Sequence, residues 1–176
     1  MPPPSNSATA SPAIVIMGVS GSGKSSVGGR LSVRLGIPFH DADEFHPRAN
    51  VAKMSSGTPL TDDDRWPWLD AIGKTLHDTK GGIIVACSAL RRVYRDRLRT
   101  VAGRPLIFVH LAGSRRTIGE RLDARRGHFM PLGLLDSQFA TLEPPATAES
   151  AIAVSVEPPL DEVVAAIVAT LSQRQD

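Results

Sequence analysis

The chain has 176 residues, of which 41% are hydrophobic and 22% charged, and its formal net charge is +2. That balance fits an ordinary soluble globular protein with one sizeable core, and it carries no overall basic field that would call for nucleic acid. No apolar stretch approaches the roughly 20 residues of a membrane span, and a single cysteine, Cys87, excludes an internal disulfide and a cysteine-based zinc site.

Met1 to Pro12 is rich in Pro, Ser and Ala, with neither a basic n-region nor an apolar h-region. It reads as a disordered tail rather than a secretory signal, and the expected compartment is the cytoplasm. Residues 13–176 then form the expected single domain. Ala13-Ile-Val-Ile-Met17 is a short apolar run rich in β-branched residues, as a buried parallel strand should be. Ser25 to Leu35 reads as a helix, with Val27, Leu31 and Leu35 four residues apart. Gly36-Ile-Pro-Phe39 stops that helix and opens a short strand, which runs out into the acidic stretch His40-Asp-Ala-Asp-Glu-Phe-His-Pro47.

Arg48 to Asp64 is polar and turn-rich. Arg65 to Thr79 reads as a helix with Trp68, Leu69, Ile72 and Leu76 on one side, and Gly81-Gly82 ends it. Ile83 to Cys87 is a second buried-type strand, followed by Ser88-Ala-Leu90 and a basic helix from about Arg91 to Val101. Leu106 to Leu111 is a strand and Arg115 to Arg126 a helix. The segment from Gly127 to Pro145 reads as a flap with a helical part through Leu134 to Leu142. Ala151 to Ser155 is the last strand, and a closing helix carries Leu160, Val163, Val164, Ile167, Val168 and Leu171 on one face. Strands alternating with helices predict an α/β fold, a parallel sheet covered on both sides.

Between the first strand and its helix lies Gly18-Val-Ser-Gly-Ser-Gly-Lys-Ser25, which fits G-x-x-x-x-G-K-[ST] in the context that motif requires. The glycines let backbone N–H groups curl inward around a phosphate, and the helix N-terminus adds its positive end. The expected cradle is Gly18, Val19, Ser20, Gly21, Ser22, Gly23, Lys24, Ser25 and Ser26. Lys24 would reach the β- and γ-phosphates of ATP, and the Ser25 hydroxyl would complete a Mg²⁺ shell. The fold is therefore expected to be that of a P-loop NTPase. No Asn-Lys-x-Asp guanine reader is present, and the length leaves little room for a motor apparatus. A small kinase with an acceptor site and a lid at about 121–145 remains.

Asp41 and Asp43, one residue apart at a strand end, suit the division that phosphoryl transfer needs, one carboxylate near the metal and one on the attacking hydroxyl. They are the leading acidic candidates, and a solvated acidic loop is the lesser alternative. His46 would add a donor, although a lone histidine is more often structural. Arg65 follows Asp62, Asp63 and Asp64. The acids suit a helix cap, while Arg65 could offer a bidentate fork to a substrate carboxylate. Arg121 and Arg125, spaced i, i+4, should share a helix face and clamp a phosphoryl group. Arg115 and Arg116 read as a solvated face, and Arg91, Arg92 and Arg95 fit either description. Aromatics at 5% argue against reading the arginines as a nucleic-acid surface.

Together these strings resemble gluconate kinase of the small P-loop type, akin to shikimate and nucleoside monophosphate kinases. The resemblance is carried by Gly18 to Ser25, Asp41-Ala-Asp-Glu-Phe-His-Pro47, Lys53-Met54, and Gly57 through Arg65 with Pro67-Trp68-Leu69. It continues in Cys87-Ser-Ala-Leu90 with Tyr94-Arg-Asp96, in Arg121 to Phe129, and in Ser137-Gln-Phe through Glu143. It implies transfer of a phosphoryl group from Mg·ATP to the 6-hydroxyl of D-gluconate, by a homodimer. By the same resemblance Asp43 looks like the base and Asp41 the carboxylate nearer the metal. Arg65 looks like the ligand of the sugar-acid carboxylate, and Arg121 and Arg125 like lid arginines on the phosphates. His46, Lys53, Ser88 and His128 look like contacts to hydroxyls or carboxylate. A small polyhydroxy acid suits such cationic and hydrogen-bonding groups better than an apolar pocket would.

Overall fold

The structure, a computed structural model, describes residues 11–125 and 132–174. Five strands form one sheet in the order β2-β3-β1-β4-β5, with every neighbouring pair parallel. They are β1 Ala13–Met17, β2 Phe39–Asp41, β3 Ile83–Ala86, β4 Ile107–Ala112 and β5 Ile152–Ser155. The register sets Val15 beside Val85 on one flank and Phe108 on the other, so β1 is central. Every residue of β1 and β3 is buried, which is why both read as unbroken apolar runs rather than alternating ones.

Seven α-helices lie among the described residues, α1 Lys24–Leu35, α2 Arg48–Ser55, α3 Asp62–Asp78, α4 Arg92–Ala102, α5 Arg115–Ala124, α6 Leu132–Thr141 and α7 Leu160–Gln173, with two 3₁₀ turns at Ala42–Phe45 and Thr147–Glu149. They split by strand alternation. Ile14 and Ile16 face a core built with Val27 and Leu31 of α1, Ile118 and Leu122 of α5, Leu135 of α6 and Val163 and Ile167 of α7. Val15 and Met17 point the other way, into Leu69, Ile72 and Leu76 of α3 and Leu98 of α4. The sheet is thus covered on both faces, as expected from the alternation of elements.

Two local readings need correction. Helix α2 occupies part of the stretch read as turn-rich. It buries only Asn50 and leaves Val51 and Met54 exposed, so no apolar period announces it. Helix α3 begins at Asp62 rather than Arg65. Thr61 caps it, its hydroxyl accepting from Asp64 N–H while the Asp64 carboxylate accepts from Thr61 N–H. This reciprocal arrangement satisfies two otherwise orphaned donors, and the three aspartates of the first turn complement the helix dipole. The capping explanation of those acids therefore holds, and Arg65 sits inside the helix. The tail expected at 1–12 falls almost wholly outside the described residues, as do His128 and the part of the flap around it.

The chain leaves the sheet at the same edge after each strand. The carboxyl ends of β2, β3 and β1 lie side by side, and β1 is where the chain order changes direction across the sheet. Open parallel sheets place their ligands at such a point.

Candidate active site

Three loops meet there. The first, 18–23, joins β1 to α1. Gly18 has φ +147°, and a Cβ on it would lie 2.8 Å from Ser22 Oγ and 3.1 Å from the Leu111 carbonyl oxygen, so both the turn and the space require glycine. Its N–H donates to the Ser88 carbonyl at 3.2 Å, tying the first loop to the one that follows β3. Val19 is buried in the core, so what it offers the loop is backbone. Gly23, left-handed at φ 95°, is the residue from which α1 starts. Lys24 lies over the loop, its Nζ donating to the Gly18 and Val19 carbonyls at 3.1 and 3.0 Å. Burial lowers its pKa from 10.5, opposed by the charges of Asp43 and Asp41 and reinforced by that of Arg125. Ser26 is exposed in the first turn of α1.

The second loop is a 3₁₀ turn, Ala42–Phe45, at the end of β2. Asp41 caps it and faces two ways. Its Oδ1 accepts from Asp43 N–H at 3.0 Å, and its Oδ2 accepts from Ser25 Oγ at 2.7 Å. The tight turn leaves Asp43 exposed toward the same cavity. Behind it, Trp68 Nε1 donates to the Ala42 carbonyl at 2.7 Å, and the Trp68 ring stacks on His46 with centroids 4.2 Å apart and planes 10° apart. Burial lowers the His46 pKa from 6.5; Asp43 opposes this and Arg65 adds to it.

The third loop carries Cys87, Ser88, Ala89 and Leu90. Ala89 holds φ +43°, a strained conformation for a residue with a Cβ. Arg95, fully buried, spans it by donating to the Ala89 and Leu90 carbonyls at 2.9 and 3.2 Å. The same guanidinium is paired with Glu149 at 2.7 and 2.9 Å. Burial pushes the Cys87 thiol up to about 12, which makes it an inert core residue.

These loops, with α3 and α6, enclose a cavity of about 770 Å³. Ser20, Gly21, Gly23, Lys24, Ser25, Asp41, Asp43, His46, Arg65, Ser88 and Arg125 all line it. Eleven positions scattered from residue 20 to 125 are thus gathered on one wall system. Arg65 is held by its donation to the Leu60 carbonyl at 2.8 Å, by Asp62 at 3.6 Å and by its seat over the Tyr94 ring, 5.6 Å from the centroid.

Two expected residues are directed elsewhere. Arg121 and Arg125 do not share a helix face, because α5 ends at Ala124 and Arg125 is extended at φ −79°, ψ 101°. Arg125 lines the cavity, whereas the Arg121 guanidinium donates to the Val156 carbonyl. Lys53 is not on the cavity wall either. Its ammonium pairs with both oxygens of Asp64, at 2.8 and 2.7 Å, and with Thr61 this holds the Asp64 carboxyl down at about 2. Lys53 thereby braces the start of α3, next to Arg65.

The sequence reading gave no role to Trp68, Tyr94 or Gln138 beyond their places in a pattern. Tyr94 Oη donates to Asp62 at 2.5 Å, and Arg91 does so at 2.8 Å, so one carboxylate organises the wall beside Arg65. Nothing in local spacing signals these contacts, since Asp62 and Tyr94 are 32 residues apart.

A metal at Ser25 and Asp41 fits the donor chemistry present. A hydroxyl and a carboxylate oxygen 2.7 Å apart are hard oxygen ligands of the kind Mg²⁺ takes while keeping phosphate oxygens and water for its other positions. No group of three or more His, Cys, Asp or Glu side chains that could hold a metal occurs among the described residues.

Known proteins resemble this chain over most of its length. The family model described as an AAA domain matches residues 14–145. A gluconokinase of Gluconobacter oxydans is 47% identical over 154 residues, covering 86% of this chain and 86% of the relative. A probable gluconokinase of Xenopus tropicalis is 45% identical over 171 residues, covering 88% and 90%. The crystal structure of a gluconokinase from Sinorhizobium meliloti superposes with a TM-score of 0.87 at 50% identity, covering 93% of each chain. At these identities, over most of both chains, this chain belongs to the gluconokinase family and has its P-loop kinase fold.

Proposed function

We propose that this protein phosphorylates D-gluconate on its 6-hydroxyl, using ATP. The observation that carries the reading is the convergence of Lys24, the Ser25–Asp41 pair, Asp43 and Arg65 on one cavity. Such a site presents cations, a hydroxyl–carboxylate pair suited to a metal, a further carboxylate and a cationic fork around one cavity. That polarity suits an acceptor that is itself a hydroxylated acid.

In this reading the loop N–H groups and Lys24 hold the phosphates, and Arg125 adds charge where the transferred group becomes most anionic. Ser25 and Asp41 hold Mg²⁺, which when bound neutralises phosphate charge. Asp43 orients the acceptor hydroxyl and takes its proton. Arg65 binds the acceptor carboxylate, with His46 and Ser88 on its hydroxyls. His46, its pKa lowered by burial, keeps a neutral ring with one donor and one acceptor nitrogen. Lys53 acts on the acceptor through Asp64 and the start of α3. The reading extends to a homodimer, on the strength of the family resemblance, and to the cytoplasm, on the strength of the sequence features given above. No described helix is long and apolar enough to cross a membrane.

The test is ADP release with Mg·ATP and, in turn, D-gluconate, shikimate, nucleoside monophosphates or no acceptor. Release that depends on gluconate is expected. Release with shikimate alone, or with no acceptor dependence, would overturn the reading.

A further inference from the structure

Helix α6 reaches the phosphate loop through one side chain. Ser20 N–H donates to Gln138 Oε1 at 2.7 Å, and Gln138 Nε2 donates to Ser20 Oγ at 3.1 Å. One primary amide therefore engages both the backbone and the side chain of the loop's third residue. The amide orientation follows from the partners, because only its oxygen can accept from an N–H.

The same face of α6 runs along the cavity. Leu134, Ser137, Gln138 and Thr141 line it, at the three- and four-residue spacing of a single helix face. Thr141 also borders a smaller cavity of about 440 Å³ beside Arg65 and Tyr94, on the side read as the acceptor's. The helix is tied at its middle and just beyond its C-terminal end. Asp136 pairs with Arg115 of α5, and beyond the last turn Glu143 N–H donates to the Leu90 carbonyl at 2.8 Å. The same helix thus borders the acceptor side at Thr141 and touches the phosphate loop at Gln138, three residues apart.

We propose that Gln138 is a positioning residue that couples acceptor binding to nucleotide binding, acting through Ser20. This rests on the reading of the cavity as a joint site for ATP and gluconate. Acceptor contacts along α6 set where the Gln138 amide stands, and the amide sets the shape of the loop at Ser20. By linkage, gluconate then raises the affinity for nucleotide by the same factor as nucleotide raises that for gluconate.

The experiment is calorimetric titration of the magnesium complex of a non-hydrolysable ATP analogue, without and with saturating D-gluconate. It is run on the wild type, Gln138→Met, Ser20→Ala and the double variant. In the wild type gluconate should tighten analogue binding by about 5-fold or more, the lower end of usual coupling between sites. In Gln138→Met that ratio should fall to within about 2-fold of one, as expected if the coupling runs through the amide. Ser20→Ala should reduce the ratio in the wild-type background and change nothing further in the double variant. An unaltered ratio in Gln138→Met, a wild-type ratio of one, or loss of analogue binding in the absence of gluconate would each overturn the proposal. Should Gln138→Met not fold, Gln138→Ala, which likewise removes both bonds to Ser20, decides in its place, and a full ratio there is equally fatal. Turnover of gluconate by the wild type is read separately, so failure of the coupling is distinct from failure of the assigned reaction.

Discussion

The Ser25 hydroxyl donates to the Asp41 carboxylate at 2.7 Å, joining the end of the phosphate loop to the end of a strand two places away in the sheet. The two residues are 16 apart in the chain, and only the parallel order β2-β3-β1 brings both strand ends to one edge. If the pair seats Mg²⁺, Asp41→Ala should raise the Mg²⁺ concentration for half-maximal rate by about 10- to 100-fold, the scale on which metal-site partners act. Titrating Mg²⁺ at fixed ATP measures it. An unchanged requirement would remove Asp41 from the metal.

Asp43 stands exposed at the turn that Asp41 caps, free to meet an acceptor hydroxyl. Asp43→Asn keeps the shape and removes the proposed base. Its kcat should fall on the order of 10²-fold or more, the usual contribution of a positioned general base. Analogue affinity should hold, since the loop is untouched. Wild-type turnover in this variant would show that the proton leaves by another route.

Arg121 and Arg125 are predicted to separate cleanly. Arg125→Ala should lower kcat on the order of 10²-fold, as expected for loss of one charge-stabilising donor. Arg121→Ala should cost less than about 10-fold in rate and instead destabilise the fold by about 1–3 kcal/mol, because the Val156 carbonyl loses its partner. Paired rate and melting measurements on both variants check this. The reverse pattern would mean that Arg121 leaves Val156 during the reaction.

Glu149 meets Arg95 and Arg99 beneath the strained Ala89 loop, with its side chain 2% exposed and that of Arg95 fully buried. Arg95 first, with the Ala146 N–H and Arg99, holds the Glu149 carboxyl down at about 2, against an ordinary value of 4.5. A carboxylate held low in the folded state stabilises above its unfolded value and loses that contribution as protons return. The contribution, about 3 kcal/mol, should be complete above pH 4.5 and disappear as pH falls toward about 2. At neutral pH Glu149→Gln should cost about 3–5 kcal/mol by leaving Arg95 charged and unpaired, lowering the melting temperature by about 10 °C. The gap between variant and wild type should narrow in acid. A constant gap from pH 7 to 3 would rule out the ion pair as its source.

How much of this was legible in the residues varies with the range of the interaction. The phosphate loop between a strand and a helix is a local pattern, so Gly18 to Ser25 could be read directly, as could each of the five strands. Helix α2 escaped because its Val51 and Met54 face solvent and give no period. Asp62 to Asp64 read as a helix cap, and the reciprocal bonds of Thr61 and Asp64 form one.

The sequence by itself determined the alternation of strands and helices, the two-faced core, the phosphate loop and the acidic turn after β2. These depend on periodicity, glycine placement and neighbours a few residues apart, where the chain's own stereochemistry decides. Tertiary structure alone decided that Arg125 rather than Arg121 lines the cavity, that Lys53 is spent on Asp64, and that Gln138 grips Ser20 from 118 residues away. A flexible side chain can reach many partners of similar energy, and which one it takes is set by where packing of the whole sheet and its helices brings each partner.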